Sequence, residues 1–345
     1  MIPTDKNYSL NGKTILLTGG TGSFGQKFTE IALKECNPHS IRIFDNRELA
    51  AVEMERDFRD PRLRFFMGDV RDKKRLLRAM KGADIVVHAA ALKHVPICEY
   101  NPIEAVKTNI EGSINIIDAA IDSGVEKVMA ISTDKAVHPC NLYGATKMVA
   151  EKLFVQGNSY SGGKNPYFSC CRYGNVIGSS GSVVPLFFEQ KSNGEITITD
   201  ERMTRFWVTL NEGVRFVINS IEIMKGGEIF IPKIPSMKVM ELADVIAPEA
   251  KKKIIGIRSG EKLHEVLLTE EEALHTKEFD KFFIITPQYP FWHKDNFKEG
   301  RNLPFGFRYS SDNNGEWIVK DQIKAILKIN AEEERKSLPP VKVEG

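Results

Sequence analysis

The sequence predicts an α/β protein, with a doubly wound parallel sheet followed by a smaller mixed α/β lobe. In the first half, short runs of apolar and β-branched residues alternate with longer segments of helical periodicity. This alternation is typical of a parallel sheet that helices cover on both faces. After about Gly174, glycine, serine and proline interrupt the pattern and the apolar runs become shorter, which indicates a second, less regular lobe.

Each element follows from a local pattern. Apolar runs predict strands at residues 14–18, 40–44, 63–67, 84–88, 127–131 and 168–172. Helical periodicity predicts crossover helices at residues 26–35, 73–80 and 110–123. In the second half, strands are expected at 195–199 and 228–232, and helices at 211–224 and 240–246. The first-half order is that of repeated strand–helix–strand units.

These patterns divide the 345 residues into three parts. Residues 1–175 form the first domain and residues 176–330 the second lobe, although residues of about 208–226 are expected to pack back on the first domain. Residues 331–345 are rich in charge and contain Pro339-Pro340, so they are predicted to be a flexible tail.

Composition excludes several classes of protein. The chain carries 48 Lys and Arg against 46 Asp and Glu, a formal net charge of +2, so charge provides no case for nucleic acid or an anionic membrane as partner. No apolar run reaches the roughly 18 residues of a membrane span, and the polar start has no signal-peptide core. The five cysteines show no CxxC spacing, which argues against a disulfide framework or a metal site and for a reducing cytoplasm.

A glycine-rich loop joins the first strand to the first helix. Residues 18–25 read TGGTGSFG, with glycines where a tight turn, close approach to a pyrophosphate and close helix–strand packing are needed. The helix start then supplies free N–H groups and a favourable dipole for the phosphates. Strand, loop and helix agree in order, so we predict a Rossmann-type dinucleotide site rather than an ordinary turn. Its loop contacts are Gly19, Thr21, Gly22, Ser23, Phe24 and Gly25.

Further cofactor contacts are predicted at the ends of the following strands. Asp45 lies about 20 residues past the loop, where an acid commonly accepts ribose hydroxyls and disfavours a 2′-phosphate, which favours NAD. Arg47, two residues on, is suited to bind a phosphate, so the choice between NAD and NADP stays open. The other predicted contacts are Asn46, Asp69, Val70, Ala89, Ala90, Ala91, Lys93 and Ser132.

A tyrosine–lysine pair follows the fifth strand. Tyr143 and Lys147 are four residues apart, so on a helix they share one face. A nearby ammonium, together with a cationic nicotinamide, stabilises a phenolate and lowers the pKa of the tyrosine. Such a tyrosine can remove a hydroxyl proton while hydride leaves the same carbon. Ser132-Thr133 ends the fifth strand at the sheet edge where ligands bind, and would hydrogen-bond the same substrate oxygen.

The glycine loop, Asp69-Val70, Ser132-Thr133 and the tyrosine–lysine pair resemble the extended short-chain dehydrogenase/reductase family. Asp134-Lys135, directly after Thr133, is similar to the acid–base pair of the nucleotide-sugar 4,6-dehydratases. Longer strings, from about residue 10 to about 330, narrow the resemblance to the C5-inverting UDP-N-acetylglucosamine 4,6-dehydratases of the pseudaminic acid pathway. These strings are AALKHVP (90–96), STDKA (132–136), NLYGATK (141–147), RYGNV (172–176), RMTRFW (202–207) and GEKLHE (260–265).

The resemblance implies a series of chemical steps. Tyr143, held by Lys147, takes the C4 hydroxyl proton as hydride passes from C4 to the nicotinamide, and Thr133 bonds the same oxygen. Lys135 removes the C5 proton, and burial beside Lys147 and the oxidised cofactor is expected to keep it neutral for this step. Protonated Asp134 donates to the departing C6 hydroxyl. Hydride returns to C6, and Lys135 reprotonates C5 from the opposite face, giving a UDP-2-acetamido-2,6-dideoxy-L-arabino-hexos-4-ulose for pseudaminic-acid-type surface sugars.

The resemblance also implies partners. The substrate is UDP-N-acetylglucosamine, the cofactor is NADP, tightly bound and regenerated in place, and the chain self-associates, with a hexamer as the expected size. Arg205 and Arg258 are predicted to bind the diphosphate through paired hydrogen bonds, and Glu261 a ribose hydroxyl of uridine. The remaining predicted substrate contacts are Lys93, Asn175, Val183 and Thr197. The second lobe is therefore expected to bind the UDP-sugar.

Two alternative functions stay open on the sequence. An epimerase of the same fold needs only Lys135 to invert C5 of a ready-made UDP-4-keto-6-deoxy sugar, whereas a pure C4-epimerase needs no Asp134-Lys135 pair. A non-catalytic dinucleotide sensor is the other class, although it requires none of Tyr143, Lys147 and Lys135, all of which are present. Fold alone does not separate these activities.

Overall fold

The computed structural model describes residues 10–162, 165–177, 183–288 and 296–337. The strands in these ranges are β1 Thr14–Thr18, β2 Ser40–Asp45, β3 Leu63–Met67, β4 Ile85–His88, β5 Lys127–Thr133, β6 Tyr167–Tyr173, β7 Asn175–Val176, β8 Glu195–Ile198, β9 Thr204–Val208, β10 Ile229–Pro232, β11 Ser236–Lys238, β12 Lys251–Ile254, β13 Val266–Leu268, β14 Thr276–Glu278, β15 Phe282–Ile285, β16 Arg301–Asn302 and β17 Tyr309–Ser310. The α-helices are α1 Ser23–Glu35, α2 Glu48–Phe58, α3 Lys73–Met80, α4 Val95–Tyr100, α5 Pro102–Val106, α6 Gly112–Ser123, α7 Leu142–Tyr160, α8 Val183–Lys191, α9 Leu210–Ile223, α10 Val239–Ile246, α11 Glu270–Ala273 and α12 Lys320–Ser337. A π-helical turn, Lys107–Glu111, precedes α6, and a 3-10 turn, Asp134–Ala136, follows β5.

One large sheet passes through the molecule in the order β3-β2-β1-β4-β5-β6-β10-β15-β14-β16. The strands from β3 to β10 run parallel, and β15, β14 and β16 run antiparallel to their neighbours. The order β3-β2-β1-β4-β5-β6 is that of a doubly wound dinucleotide-binding sheet, so the predicted fold class is confirmed. The strand order reverses between β1 and β4, which opens a crevice at the carboxyl ends of these strands.

The central strands of the sheet are covered on both faces, which explains why they are largely apolar. All five residues of β1 and all four of β4 are buried, as expected for central parallel strands. Helix α9 joins the same core through Val214, Val217 and Ile221.

A second apolar core lies between α8, β8, α10 and α12. Its buried side chains include Phe187, Ile196, Leu242 and Ile323. The strands and helices of this lobe therefore pack on each other around a core of their own. Among the described residues, none of the helices has both the length and the apolar character that a bilayer crossing requires.

Two predicted boundaries differ from the structure. The sequence assigns residues 176–330 to a separate lobe, whereas β10, β15, β14 and β16 extend the main sheet. A short apolar run shows that a strand forms but not which sheet edge it joins, so this pairing was not visible locally. Residues 331–337, predicted as flexible tail, continue helix α12, because AEEERK consists of strong helix formers. Residues 338–345 lie outside the described residues.

Candidate active site

The glycine loop lies at the carboxyl end of β1, and its shape leaves no room for a side chain at Gly19 or Gly25. Gly19 has φ +65°, and a Cβ there would stand 2.8 Å from the backbone nitrogen of Ala90. A Cβ at Gly25 would collide with the carbonyl group of Gly20. Helix α1 begins at Ser23, and no side chain of the described ranges caps it. Its first N–H groups are therefore available to an anion.

Asp45, at the end of β2, is held by the loop that it faces. Its Oδ2 accepts from the N–H (3.1 Å) and the hydroxyl (2.7 Å) of Thr21, and its Oδ1 accepts from N and Nε of Arg47 at 3.2 and 3.3 Å. Burial opposes the charge, but the hydrogen bonds from Arg47 and Thr21 outweigh burial and lower the pKa of Asp45. The Asp45 carboxylate is thus ionised and hydrogen-bonded to Thr21 and Arg47. The Arg47 side chain is 55% exposed and lies beside Gly22.

The other predicted cofactor contacts lie along the same sheet edge. Asp69 accepts from Nη2 of Arg71 at 2.7 Å and from Nδ2 of Asn46 at 3.4 Å. Val70 is buried against Gly112. Phe24 and the three alanines that follow β4, Ala89, Ala90 and Ala91, are half-buried, whereas Ser23 and Lys93 are exposed.

Helix α7 places Tyr143 and Lys147 one turn apart on its buried face. The Tyr143 hydroxyl group is hydrogen-bonded with Thr133, and burial raises the pKa of this phenol to about 12. Lys147 donates from Nζ to the Ile131 carbonyl at 2.5 Å, and burial lowers the pKa of its ammonium. Ser132 is buried, and its hydroxyl has no hydrogen-bond partner within the described part of the chain.

The Asp134-Lys135 pair forms the 3-10 turn after β5. Asp134 is fully buried, and its Oδ1 accepts from Oγ1 of Thr133 at 2.9 Å and from Nζ of Lys135 at 3.1 Å. Its Oδ2 lacks a hydrogen-bond partner among the described residues, and burial raises the pKa of the carboxyl group. Lys135 also donates to Oδ1 of Asn175 at 3.2 Å and lies 3.9 Å from Oε1 of Glu265.

The charge of Lys135 differs from the prediction. Sequence reasoning expects burial beside Lys147 to keep the amine neutral. Burial does oppose the charge, but the carboxylates of Asp134 and Glu265 outweigh it, and the pKa of Lys135 is raised. The protein alone therefore holds Lys135 as an ammonium within an ion pair.

Glu265 is a site residue to which sequence reasoning gives no role. Its side chain is 4% exposed, with Oε1 3.8 Å from Nε of Arg205 and Oε2 3.5 Å from Nζ of Lys262. Glu265 is the last residue of the string GEKLHE, one of the strings on which the resemblance to the inverting dehydratases rests. Nothing in that string shows that its last residue meets Lys135, because the contact joins distant parts of the chain.

The residues predicted to bind the diphosphate and uridine all contact or belong to the segment 258–263. Arg205 is buried and donates to the carbonyls of Thr204, Leu263 and Lys262 at 2.7, 3.1 and 2.9 Å. Its guanidinium thus braces residues 262–263, and its role toward a diphosphate stays a prediction. Arg258 is 51% exposed, and its Nη1 lies 3.9 Å from Oε1 of Glu261.

Of the four remaining predicted substrate contacts, Lys93 is exposed after β4, and the other three lie in the second half of the chain. Asn175 touches Lys135, as described above. Thr197 is hydrogen-bonded to Gln190 through both its N–H (3.0 Å) and its hydroxyl (2.8 Å), so it joins β8 to α8. Val183 is the first residue of α8. The structure brings Asn175 to the acid–base pair, and the substrate roles of all these residues stay predictions.

Comparison with known proteins identifies the family. The sequence profile of the family Polysacc_synt_2, described as polysaccharide biosynthesis protein, matches residues 15–287. The chain belongs to this family. One relative of this chain, UDP-N-acetylglucosamine 4,6-dehydratase (inverting) of Campylobacter jejuni subsp. jejuni serotype O:2, is 51% identical over 326 residues, which cover 92% of this chain and 98% of that protein.

Two further proteins are similar to this chain, one in sequence and one in both sequence and structure. UDP-glucose 4-epimerase of Rickettsia canadensis is 40% identical over 282 residues, 79% of this chain and 82% of the relative. The solved structure of Pen from Bacillus thuringiensis has a TM-score of 0.84 and 38% identity, covering 93% of this chain and 99% of that chain. The predicted resemblance to the inverting dehydratases is confirmed.

Proposed function

We propose that the protein is a UDP-N-acetylglucosamine 4,6-dehydratase that inverts C5. The observation that carries this proposal is the buried Asp134–Lys135 ion pair beside Tyr143. Oxidising and reducing one carbon requires a single acid–base residue, whereas removal of water across C5 and C6 requires a base for the C5 proton and an acid for the leaving hydroxyl. The C. jejuni relative, named for this reaction, supports the same conclusion.

A nicotinamide dinucleotide fits the residues present. Gly19 and Gly25 leave a cradle that any Cβ would fill, and the uncapped start of α1 offers N–H groups to a pyrophosphate. Ser132, Tyr143 and Lys147 would hold the nicotinamide end. When bound, the nicotinamide accepts hydride from C4 and returns it to C6.

We infer NADP rather than NAD as the resident dinucleotide. Both oxygens of Asp45 are occupied by Thr21 and Arg47, so the charge that disfavours a 2′-phosphate is already balanced. The exposed guanidinium of Arg47 is suited to paired hydrogen bonds with phosphate oxygens. Denaturing the purified protein and weighing the released dinucleotide by mass spectrometry tests this inference, and release of NAD alone contradicts it.

Tyr143 needs additional positive charge to act as a base at neutral pH. Its pKa of about 12 reflects burial, which the charge of Lys135 offsets only in part. Rotation of the Lys147 ammonium from the Ile131 carbonyl toward the phenol would lower that pKa further. The hydroxyls of Thr133 and Ser132 would then hold the C4 oxygen beside Tyr143.

The Asp134–Lys135 pair contains both groups that elimination requires. Elimination needs a neutral amine and a carboxylic acid, whereas the ion pair holds an ammonium and a carboxylate. Transfer of one proton along the 3.1 Å hydrogen bond from Nζ to Oδ1 gives a neutral amine and a carboxylic acid. Burial favours this neutral pair because it penalises both charges, and bound sugar would cover the 27% of Lys135 that is exposed. Lys135 then takes the C5 proton, and Asp134 protonates the departing C6 hydroxyl. Return of a proton to the other face of C5, for which we propose Lys135, completes the inversion.

Proton NMR in deuterated water tests the proposed function. Purified protein with UDP-N-acetylglucosamine and no added cofactor should give a new methyl signal whose coupling collapses as C5 gains deuterium. Lys135→Ala should abolish this signal while the dinucleotide stays bound. Lys13→Ala is the matched control, since Lys13 pairs with Glu126 at the opposite edge of the sheet. Absence of the methyl product with the unaltered protein contradicts the proposal.

An epimerase is the second candidate, because the R. canadensis 4-epimerase is 40% identical. A C4-epimerase would invert C4 without forming a methyl group or exchanging C5. A C5-epimerase would exchange C5 of a supplied UDP-4-keto-6-deoxy sugar but form no methyl group from UDP-N-acetylglucosamine. The same NMR spectra therefore separate the three reactions.

We infer that the chain self-associates, with a hexamer as the expected size, and works in the cytoplasm. Helices α4 and α5 expose the apolar side chains of Ile97, Tyr100 and Ile103, and contiguous exposed apolar groups commonly mark interaction surfaces. Light scattering of the purified protein tests the size, and a monomer contradicts the inference. Fractionation of the producing cells tests the location.

A further inference from the structure

We propose that Glu265 is a positioning residue for the elimination step, which keeps the transferable proton on the Asp134–Lys135 pair. The proposal rests on the proposed function, because it concerns the same pair. It starts from one juxtaposition: Oε1 of Glu265 lies 3.9 Å from Nζ of Lys135. Oε2 is buried and makes no hydrogen bond with any part of the chain that the structure describes. Burial of a carboxylate is costly unless cations compensate it, and here Lys135, Arg205 and Lys262 all lie within 4 Å of the Glu265 carboxylate.

Lys135 is faced by charged or titratable groups from four segments. Asp134 lies in the same 3-10 turn as Lys135, and Glu265 directly precedes β13. Arg205 lies on β9, and Tyr143 lies on α7. The two carboxylates favour the ammonium, and the guanidinium disfavours it. Glu265 thus supplies the second of two negative charges that hold the proton of Lys135.

Glu265 itself is neutralised and fixed. Its carboxylate faces two further cations, Arg205 at 3.8 Å and Lys262 at 3.5 Å. Its N–H donates to Oγ of Ser311 at 2.9 Å, and its carbonyl accepts from the N–H of Ser311 at 2.8 Å. Ser311 is hydrogen-bonded in turn to Thr204 at 2.7 Å. The carboxylate is therefore held near Lys135 by a rigid backbone.

The negative charge affects the two reaction steps differently. If the pair loses its proton, Lys135 is still a neutral amine and can exchange the C5 proton, but Asp134 is a carboxylate and cannot protonate the C6 hydroxyl. Glu265 opposes this loss, because a nearby negative charge strengthens proton binding by both groups. Elimination should therefore depend on Glu265 at alkaline pH, and C5 exchange should not.

The pH dependence of Glu265→Gln tests the proposal in the full-length protein with its resident dinucleotide. The alkaline fall in methyl product from UDP-N-acetylglucosamine should begin about one pH unit lower than in the unaltered protein. Deuterium exchange at C5 of a supplied UDP-4-keto-6-deoxy sugar should keep its rate. Glu265→Asp, which keeps the charge, should restore most of the profile. Glu228→Gln is the matched control, since it removes a buried carboxylate bonded to Ser169, away from the pair.

A second measurement does not require turnover. NMR of protein labelled with ¹³C on lysine, with the Lys135 signal assigned from its loss in Lys135→Arg, follows the titration of that residue directly. In Glu265→Gln the titration should also move about one pH unit lower. An unmoved titration or an unmoved alkaline limb overturns the role of Glu265, even where the methyl product forms. If the unaltered protein forms no methyl product, the proposed function fails, and the Lys135 titration still decides whether Glu265 holds its proton.

Discussion

Nδ2 of Asn141 donates to the carbonyl oxygen of Gly260 at 2.8 Å, and this hydrogen bond joins the start of helix α7 to a loop of the second lobe. Oδ1 of the same amide accepts from the N–H of Gly144 at 2.7 Å and caps the helix. Gly260 has φ +80°, and a Cβ there would stand 3.1 Å from Cβ of Asn141. The Asn141 side chain therefore helps to fix the spacing between the helix that carries Tyr143 and the loop that leads to Glu265, together with the contact of Cys140 Sγ with the same carbonyl.

Replacing Asn141 should separate these two tasks. Asn141→Asp loses the donor to Gly260 but keeps the capping oxygen and adds a negative charge that favours the helix start. These two effects on stability should nearly offset each other, so we expect little change in thermal stability and a fall in kcat/KM of about fivefold from the loss of the tether. Asn141→Ala loses the cap as well and should also reduce the free energy of unfolding by about 1 kcal/mol. Steady-state kinetics and thermal unfolding of both variants check this. Full activity in Asn141→Asp would show that the tether to Gly260 is dispensable.

The acid and the base of the elimination should be separable by substitution. Asp134→Asn removes the proposed acid, so formation of the methyl product should fall by about 10²-fold or more, while C5 deuterium exchange of a supplied 4-keto sugar continues. Lys135→Gln should abolish both. Both rates are read from the same NMR experiment. Loss of C5 exchange in Asp134→Asn, with the variant folded, would assign the base role to the pair as a whole.

Arg172 should contribute strongly to stability. It is 2% exposed, and its guanidinium donates to both carboxylate oxygens of Glu151 and of Glu272 and to the Leu267 carbonyl. Arg172→Met leaves two carboxylates without their cation and should lower the free energy of unfolding by about 3–5 kcal/mol, measured by urea denaturation. Arg202→Met removes a mostly exposed arginine and should leave the unfolding midpoint unchanged. Similar midpoints for the two variants would contradict this account.

Buried His88 should make stability depend on pH. Its ring Nδ1 is hydrogen-bonded with the Thr18 hydroxyl at 2.8 Å, and burial, aided by the charge of Lys147, lowers its pKa to about 3. Below about pH 6.5, His88 is protonated in the unfolded chain but stays neutral in the folded chain, so acidification favours unfolding. His88→Asn should remove about 1.4 kcal/mol of this loss for each pH unit below about 6.5.

Urea denaturation across that pH range measures the effect of His88. His39→Asn is the control, because His39 is exposed, and this variant should keep the full pH dependence. Equal slopes for His88→Asn and the unaltered protein would mean that His88 is already protonated in the folded state.

Local patterns were sufficient for much of the fold and for part of the candidate site. Helix α3 begins and ends at the predicted residues, Lys73–Met80, because apolar spacing and the Asp72 cap are both local. Tyr143 and Lys147 share a buried face because a spacing of four residues fixes this on any helix. The glycine loop likewise needs only its own strand and helix.

Features that depend on distant contacts could not be predicted from local patterns. The ammonium state of Lys135 depends on its neighbour Asp134 and also on Glu265, which meets it only after the second lobe has packed. The hydrogen bonds from Arg205 to the carbonyls of Lys262 and Leu263 likewise could not be predicted from the local sequence. In both cases the residue type was recognised, and its partners decided what it does.

The sheet has a consequence for synthesis on the ribosome. When translation has produced the glycine loop and helix α7, strand β6 still has an outer edge of unpaired N–H and C=O groups. That edge is closed only when Ile229 pairs with Cys170, and β15 then covers β10 in turn. A nascent chain stalled before residue 229 thus combines a finished dinucleotide loop with an open edge, a state prone to aggregation.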